Sequence, residues 1–219
     1  MLPWAAVPTG PAPDGRRERK KTRTRDELVA AATELFANNG YDDTTIEEIT
    51  DRADVSPRTF FRYFASKEDV LFPKDLEVEP LLRALVEQPR SSNDLEAIRD
   101  ACLAQLPYDE ATVRRVLLLK KAIRSTPALE GRDLALQHEF CDLLAVAVSR
   151  RNGLEHPDDH SQMVAALAQV VIRLAFDRWA DTDGQEDLAT LLRHRFDLVD
   201  KISAPARSRA PRARSRQRP

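Results

Sequence analysis

The chain has 219 residues, few of them cysteine, glycine or aromatic, and no long apolar run. Two cysteines, Cys102 and Cys141, are too few to staple a small secreted fold. Both fall in apolar helical patterns, which predicts buried, reduced thiols in a cytoplasmic protein. Six glycines and a scarcity of alternating β-branched residues argue against a sheet and for an all-α fold. No stretch approaches the ~20 apolar residues a membrane span needs, so no membrane association is expected. Met1 to Gly15 holds four prolines and two glycines without a basic start, which reads as a disordered extension and not a signal peptide. Of four scattered histidines only His156 and His160 stand at i, i+4; Pro157 lies between them and no further ligand is near, so no metal site is expected. No paired carboxylates, nucleophile–base set or phosphate loop occurs in a supporting context. Neither catalytic residues nor a cofactor is expected, and an enzyme is disfavoured.

What is present is charge, unevenly placed. The formal net charge is −2, yet residues 1–25 carry +5, residues 201–219 carry +7 and the body between them −14. An acidic body with basic ends repels nucleic acid except where those ends reach it. The arginine-rich tail from 203 to 219 lacks an apolar pattern and reads as disordered, adding either sequence-blind DNA affinity or mere solubility.

The most informative stretch runs from Thr44 to Asp69. Thr44 and Glu47 stand at capping-box spacing, and Ile46, Ile49 and Ala53 form one apolar stripe. Ser56 and Pro57 follow as cap and first residue of a second short helix. That helix carries Phe60 and Phe64 one turn apart, facing the first, and leaves Arg58, Thr59, Phe61, Arg62 and Tyr63 on another face. Such a pair is either a plain helical hairpin or a helix-turn-helix, in which the second helix enters the DNA major groove. The exposed basic and aromatic face favours the latter.

These residues, with the basic run Arg16–Arg25, a helix ending Leu35-Phe36-Ala37-Asn38-Asn39-Gly40-Tyr41, the Thr44-Thr45-Ile46 start and Ser66-Lys67-Glu68-Asp69, resemble the DNA-binding domain of the TetR/AcrR family of bacterial transcriptional regulators. Two positions depart from the family pattern: Asp54 stands where glycine is common, and Phe61-Arg62-Tyr63 where Tyr-Tyr-His or Tyr-Trp-His is common. The resemblance implies an N-terminal three-helix helix-turn-helix domain (16–74) and a C-terminal helical ligand-binding and dimerisation domain (75–202). It implies a ligand-responsive regulator, most simply a repressor, binding palindromic double-stranded DNA as a homodimer. The alternative is a relative acting as a protein-binding adaptor. Transferred position by position, Arg58 and Thr59 would meet base edges, Phe61 a thymine methyl, and Arg62, Tyr63 and Lys67 phosphates; Thr44 and Thr45 would offer hydroxyls and N–H groups to a phosphate.

Upstream, Thr24 and Glu27 would cap a first helix buried through Leu28, Ala31, Ala32, Leu35 and Phe36 and ended by a left-handed Gly40. The basic run before it would be an arm lying along phosphates or entering the minor groove, or else a solvated charge run. Beyond Lys67 a linking segment reaches about Gln88, interrupted by Pro73 and Pro80. Five more helices follow. The one from about Asp159 to Ala180 is apolar almost all round, and the last spans about Glu186 to Lys201.

Apolar excess on these last two helices marks Val164, Leu167, Ala168, Val171, Leu191 and Leu198 as dimer candidates, or else intrachain core. Leu103, Leu117, Phe140, Leu144, Val170 and Leu174 would line an effector cavity, or else fill the core. Arg114, Arg115, Lys120, Lys121 and Arg124, with Arg173 and Arg178, could receive an anionic head group or stay solvated. The C-terminal half, with Arg173, Trp179 and the final helix, is similar to regulators of the mycofactocin type, which implies acyl-CoA as a candidate effector.

Overall fold

Residues 15–72 and 78–203 are described by a computed structural model, and the nine α-helices among them are joined by loops and a single 3-10 turn. The extension before Gly15, Pro73, the boundary near Asp75 and the basic tail lie outside the described residues.

Helix α1 (Arg16–Asn39) starts eight residues before the expected Thr24 cap. From 16 to 39 the chain holds neither proline nor glycine, and Arg, Lys and Glu are good helix formers, so the helix continues through the basic run. Arg23 pairs with Glu27 one turn on, at 2.8 Å, which leaves no capping box at Thr24. At the other end Gly40 has φ +91° and ψ 157°, an extended conformation of positive φ in place of the expected left-handed one.

Helix α2 (Ile46–Arg52) lies against α1, and α3 (Pro57–Tyr63) lies against α2. Between them Asp54 takes the left-handed conformation, φ +53°. This lets the Asp54 N–H reach Asp51 O (3.2 Å) and the Val55 N–H reach Thr50 O (3.0 Å), so two orphan carbonyls at the end of α2 are satisfied. Asp does here what glycine would do with less strain. Phe36, Ile49, Phe60 and Phe64 meet in the small core this creates. Its closing 3-10 turn, Glu68–Val70, packs on α1.

The second layer is built from α4 (Glu79–Val86), α5 (Asp94–Leu103), α6 (Glu110–Ile123), α7 (Pro127–Arg151), α8 (Asp159–Asp181) and α9 (Leu188–Ser203). Pro80 and Pro127 sit in the first turns of α4 and α7, where the missing N–H costs nothing; Pro80 therefore starts a helix and does not kink one. Cys102 lies in the last turn of α5, and Leu106 lies beyond its end. Asn93, Asp109 and Asp158 cap α5, α6 and α8 by accepting from the N–H three residues on. Helix α8 packs on α7 and α9, and α6 lies across α1, which joins the two layers. Cys102 is fully buried and its thiol is pushed up to about 12 by desolvation; Cys141 is half-buried.

Candidate nucleic-acid interface

Helix α3 shows two unlike faces. Phe60 and Phe64 are within 5% of full burial, whereas Phe61 is 57% exposed and Arg58 and Arg62 project outward. Ser56 accepts from Thr59 N (3.2 Å), and its hydroxyl lies 3.0 Å from that of Thr59, so the N-terminal turn is fixed where Arg58 and Thr59 sit. Arg62 stacks over the Tyr63 ring, 5.0 Å to the centroid, and the half-buried Tyr63 packs against the core. The outward set Arg58, Thr59, Phe61, Arg62 and Tyr63 is thus carried on one short, rigid element.

Two expected contact residues face the other way. The capping box belongs to Thr45 and Glu48, one residue later than expected: Thr45 Oγ1 accepts from Glu48 N (3.2 Å), and Thr45 N donates to Glu48 Oε2 (2.8 Å). Thr44 is buried, with its hydroxyl donating to Gly40 O at 2.8 Å, and is withdrawn from any phosphate. Lys67 donates from Nζ to Tyr41 O (2.6 Å) and Thr44 O (2.8 Å) and lies 4.1 Å from the centroid of the Tyr41 ring. It clamps the α1–α2 loop with two of its three N–H donors. Tyr41 in turn donates to Glu68 Oε1 (2.8 Å), and burial and that carboxylate raise its pKa.

Beside α3 lies an open cleft of about 880 Å³, lined by Arg19, Lys20, Arg23 and Thr24 of α1, by the 53–55 turn, and by Thr59 and Arg62. The basic run is therefore a helix flanking the recognition helix. At ~10–12 Å across, a helix does not enter a minor groove ~6 Å wide. Of the readings of the run, the minor-groove one falls; contact along phosphates and a solvated charge run remain.

The remaining expectations divide. Val164, Ala168, Val171 and Leu191 are buried in this chain's own core, so of the six dimer candidates only Leu167 and Leu198 retain surface. The exposed apolar stripe instead runs Met163, Leu167, Val170 and Leu174 along α8, one residue round from the set expected. Val170 and Leu174 thus belong to this exposed stripe. Phe140 and Leu144 are fully buried core, while Leu103 borders a smaller pocket near the α8–α9 loop. The cations expected to receive an anion are mostly committed: Lys120 pairs with Asp177 (2.9 Å), Arg124 with Asp181 (2.6 Å), Arg173 with Asp177 (3.4 Å), and Arg178 with Glu186. The Lys120 and Arg124 pairs form a ladder between α6 and α8 that periodicity could not reveal, because the partners lie some 57 residues apart. Among the described residues no group of three metal-ligating side chains occurs and no helix is long and apolar enough to cross a membrane.

Residues 28–72 match the family model described as bacterial regulatory proteins, tetR family, and residues 93–203 match the MftR C-terminal domain. The chain is 36% identical over 189 residues to the HTH-type transcriptional regulator TcmR of Streptomyces glaucescens, across 81% of this chain and 82% of that protein. The chain belongs to the TetR family. As a TetR-family protein it is a DNA-binding transcriptional regulator. It is also 29% identical over 187 residues to the putative mycofactocin biosynthesis transcriptional regulator MftR of Mycobacterium tuberculosis, covering 85% and 94% of the two chains. The TetR-family fold is shared with the regulator FadR from Bacillus subtilis, solved in complex with stearoyl-CoA, at a TM-score of 0.53 and 20% identity over 80% of this chain and 96% of that one.

Proposed function

We propose that this chain is a cytoplasmic repressor that binds a two-fold symmetric operator as a homodimer and leaves it when a small, largely apolar effector enters the C-terminal layer. The observation that carries the DNA reading is the polarity of α3. Its aromatic residues Phe60 and Phe64 are held inside, while Arg58 and the half-buried Thr59 sit in the N-terminal turn that a groove-reading helix presents to base edges, with the exposed Phe61 one turn on from Arg58. In this reading Arg58 and Thr59 meet bases, Phe61 meets a thymine methyl, and Arg62, Tyr63 and Thr45 meet phosphates. Thr44 and Lys67 hold the loop beneath them.

The exposed stripe Met163, Leu167, Val170 and Leu174, at i, i+4, i+7 and i+11, supports a helix-to-helix dimer seam on α8, continued by Leu198 and Ile202 of α9. Two recognition helices related by such a seam would read half-sites one helical turn, ~34 Å, or a multiple apart. Acyl-CoA is one effector class to test, since stearoyl-CoA occupies the Bacillus subtilis FadR complex.

Selection of the purified full chain on a random duplex library at two salt concentrations tests the reading. A palindrome is expected, and Tyr63→Ala should fail to enrich it. Arg58→Ala should relax specificity at one position per half-site at a cost of ~1–3 kcal/mol. Sequence-blind, strongly salt-dependent binding would overturn the proposal and favour an adaptor.

A further inference from the structure

We propose that the pocket at the corner of the α5–α6 and α8–α9 loops is the effector site and that it takes a compact apolar monocarboxylate, an aromatic acid in preference to a long acyl chain. The inference deepens the effector reading above and rests on it.

The pocket holds about 360 Å³, near the small end of ligand cavities (~300–1,000 Å³). Its walls are Leu106, Pro107, Tyr108, Val113, Trp179 and Leu188, flat or branched apolar surfaces suited to a ring. Three charged side chains stand at its edge: Glu186, Asp187 and Arg193. Glu186 is held by Arg178. Asp187 caps α9, accepting from Thr190 N (2.9 Å) and Thr190 Oγ1 (2.6 Å). Arg193 makes no hydrogen bond among the described residues, and its charge acts on the neighbouring Asp187 only through space. The α6–α8 ladder has meanwhile committed Lys120 and Arg124, while Arg173 and Arg178 pair with Asp177 and Glu186.

One guanidinium whose N–H donors have no protein acceptor, beside an apolar pocket, matches one carboxylate. Two flanking carboxylates oppose anything more highly charged, which disfavours the polyphosphate of CoA. The pocket also bears on the DNA-binding layer. Pro107 and Tyr108 run directly into Asp109, the cap of α6, and α6 lies across α1. A ligand that displaces this wall tilts the helix on which the DNA-binding unit rests.

Trp179, one of two tryptophans in the chain, reports on the pocket; Trp4→Phe leaves it the sole indole. Titrating that full-length variant with 1-naphthoate and its neutral analogue 1-naphthamide should give saturable quenching, with naphthoate binding roughly tenfold or more tighter. Arg193→Gln should abolish the difference, Arg124→Gln on the ladder should leave both affinities unchanged, and Ala189→Trp, read by titration calorimetry because it adds an indole, should block both probes by filling the pocket. Far-UV circular dichroism confirms that each variant is folded. Equal affinity for the two probes, no binding, or binding indifferent to Arg193→Gln overturns the assignment. If naphthoate binds as expected but leaves affinity for the selected duplex unchanged, the site's chemistry stands and the effector reading fails. If another small molecule releases the duplex while Ala189→Trp changes nothing, the effector reading stands and this site is wrong.

Discussion

Lys67 directs its ammonium at two main-chain carbonyls, and this decides what its removal should do. Lys67→Met is expected to cost about 2 kcal/mol of stability, read in urea unfolding, while the slope of log affinity against log salt stays unchanged. A lost phosphate contact would instead lower that slope by about 0.9. Asp94 is a second such residue. It joins three helices by binding the buried Arg151, Asn152 (3.0 Å) and His160 (2.8 Å), and Arg151 also reaches the carbonyls of Pro89 and Ser92. Burial alone would raise the Asp94 carboxyl, but hydrogen bonds from His160 and Asn152 and the charge of Arg151 outweigh it and hold the pKa below the usual range. Folding thus lowers this pKa, so the junction's contribution is complete above about pH 4 and drains away as pH falls through the folded value. Asp94→Asn is expected to lower stability at pH 7 by about 2–3 kcal/mol and to flatten the acid limb of a stability–pH curve. Neither role could be read from the sequence, because each depends on partners brought close by the fold. Phe60 and Phe61 were legible for the opposite reason: helical spacing alone separates the inward ring from the outward one.

At the scale of elements, caps and periodicity located α2, α3 and the later helices, because those signals act within a few residues. They failed by one position at Thr44 and Thr45, where two adjacent hydroxyls each stand three residues before a glutamate and only the loop's path to Gly40 chooses between them. They failed again at the start of α1, where Thr24 offered a cap that the helix did not need. Since the basic run is helical, its cations are spaced along a fixed line beside α3. Replacing Arg19, Lys20 and Arg23 together by glutamine should lower the salt slope of binding by about 2–3 while the selected sequence stays the same, as a repeat of the duplex selection would show. A shift in the preferred bases would mean that the run reads more than backbone.

For the molecule as a whole, the split between buried and exposed apolar positions on α8 could not be resolved from composition, since that helix is apolar on nearly every side. Packing on α7 and α9 claims Val164, Ala168 and Val171 and leaves Leu167 outside. Leu167→Glu should therefore yield a folded monomer by light scattering, with unchanged helix content and much weaker binding to the full palindrome than to be expected from one lost contact. Val171→Glu should instead unfold the chain, as it places a charge in the core. The long α1 carries one more consequence. It is gripped by α6 through the stretch around Ala30 and Glu34, and Arg114 faces Glu34 there at 3.8 Å. Arg16 lies about 20 Å from that grip at ~1.5 Å per residue, so α1 has the form of a lever with its fulcrum at α6 and its far end beside the proposed DNA-facing side. A rocking of only ~10° at the fulcrum, within the give of a side-chain contact, sweeps that end by about 3–4 Å, which is more than the reach of a hydrogen bond.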